Sequence, residues 1–162
     1  MGQLSGMRLS LFVARAAVLV VSLVVPLAAA VAESPGNAPG TNYALRCSGC
    51  HCLDGAGSLE GGIPDFRGYV GAFSRTKEAR NYLMHVPGVV STGLNDAEIA
   101  SVLNYVMKAY GDGSLPDDYV PFTESEVIAL RREPMEDLIA YRRKLVDEMR
   151  QNGIKSAGYP WP

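Results

Sequence analysis

Apolar residues along this chain recur at helical spacing, and nowhere do they alternate as the residues of a half-buried strand would. Tyr43 and Cys47 stand one helical turn apart in a short helix predicted over residues 41–50. A second helix is predicted over residues 74–85, with Ser74 as its cap and Ala79, Tyr82, Leu83 and Val86 marking one face. Pro87-Gly88 is expected to stop it. Asn95 followed by Glu98 has the capping-box pattern, and Ile99, Val102, Leu103 and Val106 carry an apolar stripe on to Tyr110. Thr123 with Glu126 opens another short helix. Pro134 is placed as the first residue of a last, charged helix running to about Gln151. Between these lie a Pro/Gly linker at 33–40, a Gly-rich loop at 54–62 and a second linker at 111–121. The expected fold is mainly α, made of small helices around something other than a large apolar core.

The first 32 residues differ from the rest. Arg8 and Arg15 precede a short apolar run from Ala16, and Ala30-Val31-Ala32 gives a small-x-small pattern before Glu33. This is the layout of a secretory signal peptide, with cleavage predicted after Ala32. The alternative is a retained membrane anchor, against which stand the shortness of the run and Pro26 within it. Export to the periplasm follows from the first reading, and contact with a membrane only from the second.

Charge narrows the function. Fifteen Lys and Arg face seventeen Asp and Glu, for a net charge of −2, a balance unlike the basic excess of nucleic-acid binders. The three cysteines all fall within six residues, at 47, 50 and 52, which excludes a disulfide-stapled scaffold.

The segment Cys47-Ser48-Gly49-Cys50-His51 carries the chemistry. On a helix, positions i, i+3 and i+4 share a face, so two thiols and one imidazole are presented together. That spacing suits haem: each thiol adds to one vinyl group as a thioether, and the histidine binds iron from one side. A zinc cluster of Cys47, Cys50, His51 and Cys52 is the alternative by donor type, but adjacent ligands make a poor tetrahedral site and no second ligand pair follows. A Cys-x-x-Cys redox pair would be expected within an α/β pattern, which is absent.

At these residues the sequence resembles the c-type cytochromes, in particular the small single-haem class I members, over about residues 41–110. Asp54-Gly55-Ala56-Gly57 is similar to a segment often found just after the haem motif in that family. Pro64, in Ile-Pro-Asp-Phe-Arg-Gly, is similar to the proline whose carbonyl accepts the proton of the proximal histidine. Residues 94–99 with Asn104-Tyr105 look like the last core helix, and Tyr43 matches an aromatic position one turn before the first cysteine. The resemblance implies a small helical domain wrapped around one covalent haem c held by Cys47, Cys50 and His51. It implies an electron carrier rather than an enzyme, with redox proteins such as a dehydrogenase or oxidase as partners. Cys52 departs from the family, which usually has a small residue other than Cys there.

The sixth iron ligand is open at this level. The resemblance points to a methionine ahead of the last core helix, and Met84 is the first candidate, followed by an open or water-bound iron and by His85. The helical wheel sets Met84 almost opposite the Ala79/Leu83/Val86 face. Pro87 disfavours α geometry at Val86, so an unwound last turn is the expected route by which either Met84 or His85 would be freed to reach iron. An open site would instead bind gases or do peroxide chemistry. Residues 111–162 exceed a minimal domain of this type. They are expected to form a helical extension packed on it, or to dock a redox partner or anchor the chain as a haem subunit of a larger complex.

Overall fold

The computed structural model describes residues 36–158. The predicted leader at 1–32 and the tail at 159–162 lie outside the described residues. Among those described there are seven α-helices and one 3-10 helix: α1 (Pro39–Arg46), α2 (Ser48–His51), the 3-10 turn Val70–Ser74, α3 (Lys77–His85), α4 (Pro87–Val90), α5 (Asp96–Tyr110), α6 (Glu124–Leu130) and α7 (Leu138–Gln151). An isolated bridge between Ser58 and Ile63 is their one β feature. No helix of the described residues is long and apolar enough to cross a membrane.

Local chemistry explains where these helices begin. Asn95 accepts from the Glu98 amide while the Glu98 carboxylate accepts from the Asn95 amide, the reciprocal box expected for α5. Thr123 caps α6 through the Glu126 amide. Other ends move from their predicted places. Helix α1 starts at Pro39, inside the predicted linker, because proline at the first turn costs no hydrogen bond. Ser74 belongs to the 3-10 turn, and Thr76 caps α3 instead. The last helix starts at Leu138 with Asp137 as cap, so Pro134 precedes it rather than opening it. Pro87 does break α3, leaving Val86 extended (φ −64°, ψ 138°), but it then opens the single turn of α4.

Helix α1 packs on α5, with Tyr43 at the joint. Its ring is 1% exposed and lies 5.7 Å from Tyr105 and 5.2 Å from Tyr110, centroid to centroid. Helix α5 also supports the 3-10 turn and α6. A side chain at Gly71 in that turn would collide with the backbone of Leu115, so only glycine allows the two segments to meet.

The C-terminal part packs into the same core, which takes in Phe122, Val127, Leu130, Leu145 and Met149. Two polar groups fasten it. The Asn104 amide donates to the Phe122 carbonyl (2.9 Å), and its oxygen accepts from the Phe122 amide (2.7 Å) and the Tyr119 hydroxyl (2.6 Å). Arg80, buried on α3, pairs with Glu126 through two contacts of 2.5 Å and lies 3.6 Å over the Phe122 ring. Such a buried charge is tolerable because its partners are all in place. Helix α7 closes over α3, placing Arg142 against Tyr82 and Phe73.

Replacing Asn104 by Ala strands the Phe122 backbone groups and the Tyr119 hydroxyl, an expected loss of about 2–4 kcal/mol for buried groups left unpaired. Chemical denaturation of the intact holoprotein measures it, and an unchanged midpoint would contradict this role.

Candidate haem-attachment site

The attachment segment is built as one tight turn at the end of α1. At Cys47 the backbone (φ −118°, ψ −37°) separates α1 from α2, and the Cys47 amide still donates to Tyr43. The Cys47 carbonyl then accepts from both the Cys50 amide (3.2 Å) and the His51 amide (3.0 Å). One oxygen thus ties together the three residues the sequence singles out. Cys47 is half-buried and Cys50 exposed, and both thiols are free of any disulfide. Burial, with the neighbouring Cys50, raises the Cys47 pKa and keeps it a neutral thiol.

His51 is set between Phe66 and the Pro64 backbone. Its ring stacks on Phe66 at 3.8 Å with 17° between the planes. Burial pushes its pKa down to about 4, while the Pro64 backbone pulls the other way. The imidazole is therefore neutral, which is the form that binds a metal. Nδ1 is buried on the Pro64 side without an aligned hydrogen bond. The Pro64 carbonyl thus lies near enough to favour a proton on the ring, yet falls short of full hydrogen-bond geometry.

The loop that delivers Pro64 is pinned to the turn after His51. The Gly57 amide donates to the His51 carbonyl (3.1 Å), and the Phe66 amide to the Gly55 carbonyl (2.8 Å). Gly57 has φ +67°, and a Cβ there would come within 2.5 Å of the Ile63 and Pro64 carbonyls. On the surface Arg67 grips Asp65 (2.9 Å) and Asp54 (3.2 Å), and the Arg67 hydrogen bonds lower the Asp65 pKa. Cys52 is the one non-glycine residue among those described with positive φ (φ 59°, ψ 165°), a region that is almost exclusively glycine's. Its thiol is exposed and reaches toward the Gly57 carbonyl at 3.5 Å.

The other sequence candidates lie on α3. The helix holds through His85, so the expected unwinding is confined to Val86 and does not release Met84. Met84 is 1% exposed. It lies one turn beyond Arg80, on the face that Arg80 turns toward Glu126 and Phe122. His85 is half-buried, and its Nδ1–H donates to the Asn81 carbonyl at 3.0 Å. The structure therefore gathers Cys47, Cys50, His51 and Pro64 in one place and keeps Met84 buried in the core on an intact α3. Sequence reasoning passed over Phe66 and the hydroxyls of Tyr43 and Tyr110. Phe66, two residues past Pro64, could have been found as the aromatic centre of that segment. Tyr110 acts across 57 positions and leaves no local sign.

Two thiols and a half-buried imidazole on one turn fit a haem, which the two cysteines would hold by thioether bonds and the histidine nitrogen would ligate. A helical fold with this donor set defines a c-type cytochrome. No family model matches the chain. It is, however, 32% identical to cytochrome c-552 of Thermus thermophilus over 128 residues, covering 67% of this chain and 97% of that protein. A cytochrome c-552 from a named strain of the same species matches at 32% over 128 residues, 67% of this chain and 86% of that relative. The chain belongs to the c-type cytochromes: it carries covalently bound haem c and transfers electrons.

Two substitutions probe the geometry. Cys52→Gly relieves a backbone conformation that costs an L-residue about 1–3 kcal/mol, so thermal unfolding should shift upward. Gly57→Ala does the reverse, driving a methyl into the Pro64 carbonyl, and the haem-to-protein absorbance ratio of purified material should fall.

Proposed function

We propose that this protein is a periplasmic monohaem carrier of the class I type, moving one electron at a time between a dehydrogenase or quinol oxidant and a downstream acceptor. Cys47 and Cys50 form the two thioether links and His51 supplies the proximal nitrogen. Pro64 orients the imidazole through its carbonyl. The observation that carries this reading is the half-buried His51 ring, stacked on Phe66 and fixed beside two free thiols on a single turn. When bound, the haem supplies a reversible one-electron couple. The chain's part is to fix the ring, exclude water from one side and present the outer side to a partner. Leu45 and Leu53, exposed on either side of the turn, supply apolar contact there. The leader at 1–32, removed after Ala32, accounts for export, which places the thiols where haem attachment protects them from oxidation.

The distal ligand has two readings. Met84 is the methionine proposed from the sequence, and ligation requires it to leave the face it shares with Arg80. Its near-complete burial on a helix that keeps its turn through His85 supports the second reading, an iron open to small exogenous ligands. Such a protein could also serve as the haem-bearing subunit of a larger oxidoreductase, held by the C-terminal helices.

Denaturing mass spectrometry of exported protein should give residues 33–162 plus one haem. A haem-free mass overturns the assignment, and a mass retaining the leader overturns the cleavage. Rapid carbon monoxide binding by the reduced protein, with an unchanged oxidised spectrum in Met84→Ala, is expected for an open iron. Slow or absent binding and an altered spectrum would assign Met84 as the ligand.

A further inference from the structure

The two residues that follow His51 are anchored from outside their own loop. The Tyr43 hydroxyl, from α1, donates to the Cys52 carbonyl at 2.7 Å. The Tyr110 hydroxyl, from the last turn of α5, donates to the Leu53 carbonyl at 2.8 Å. The Leu53 bond lies at an exposed turn, where water would otherwise satisfy the carbonyl, whereas the Cys52 bond is part-buried and comes from a tyrosine only 1% exposed. What the hydroxyls do provide is position. Cys52 holds a backbone conformation suited to glycine, which persists only where its surroundings over-determine it. The bond closing the turn internally, from the Gly55 amide to the same Cys52 oxygen, is long at 3.4 Å. The short contact comes from Tyr43.

The two tyrosines also act together. Their rings are 5.2 Å apart, and Tyr110 lies 6.4 Å from Phe66, the ring stacked on the imidazole. The backbone on the C-terminal side of His51 and the face of its ring are thus fixed by one aromatic group, anchored where α1 crosses α5. We infer that Tyr43 and Tyr110 are positioning residues for His51, setting through the Cys52 and Leu53 carbonyls how the imidazole is presented to the iron. The inference rests on the reading of His51 as the proximal ligand. It deepens that reading by naming what holds the ligand in register.

The test uses the haem-loaded protein and the conservative variants Tyr43→Phe and Tyr110→Phe, which keep both rings. Two readouts respond to ligand placement and not to stability alone: the iron–histidine stretching frequency, and the reduced-to-oxidised ratio at a fixed solution potential. Each lost hydroxyl should move the frequency and change the ratio by up to about fivefold, the worth of one net hydrogen bond if all of it is felt at the iron. A shift in either variant upholds the proposal at that hydroxyl. Unchanged frequency and ratio in both, with only a lowered unfolding temperature, overturn it. Should Tyr43→Phe not be recovered with haem, Tyr110→Phe decides, because its hydroxyl bonds at an exposed turn. Haem missing from the unaltered protein would instead refute the haem assignment itself.

Discussion

Tyr43, one turn ahead of the first attachment cysteine, presses its ring against Tyr105 and Tyr110 of α5, and the rest of the domain depends on that crossing. The helix carrying Cys50 and His51 is four residues long, far too short to persist alone in water. It exists because α1 continues into it and α1 is held by α5. Aromatic pairs of this kind contribute about 0.5–1.5 kcal/mol each beyond the area they bury. The same crossing brings the end of α5 back to the chain just after His51, so a long-range packing contact becomes a constraint on the residue proposed to bind iron.

The parts of the fold that the sequence made legible are those written in local chemistry. The Asn95/Glu98 box, the Thr123 cap and the stripe of α5 follow from residues a few positions apart, and they stand where expected. So does the Cys47-to-His51 turn, whose spacing is itself helical. The shifted starts of α1, α3 and α7 have a common cause: more than one residue could cap or open each helix, and tertiary context chose among them. Met84 shows a different limit. Its place on the wheel was readable, but the burial of that side of α3 was not, because Arg80, one turn before Met84, finds its cover in Glu126, 46 positions downstream.

That cover also explains a polar residue in an unexpected place. A surface helix of a minimal domain would expose Arg80, yet here it is buried, paired with Glu126 and laid over Phe122. The apolar periodicity of α3 marks only one of its buried faces, because the second is closed by an ion pair and a cation over an aromatic ring. Residues 111–158 are accordingly part of what holds α3 in place, through Glu126 on Arg80 and Arg142 on Tyr82.

Cys52 adds a consequence of a practical kind. With Cys47 and Cys50 spent on the proposed thioether links, it is the last sulfhydryl in a chain that has three cysteines, and it is exposed one residue from His51. A maleimide dye or a gold electrode would therefore address a single known point on the molecule, with a one-residue covalent path from that point to His51. The departure from the usual residue at this position makes the protein self-orienting on a conducting support.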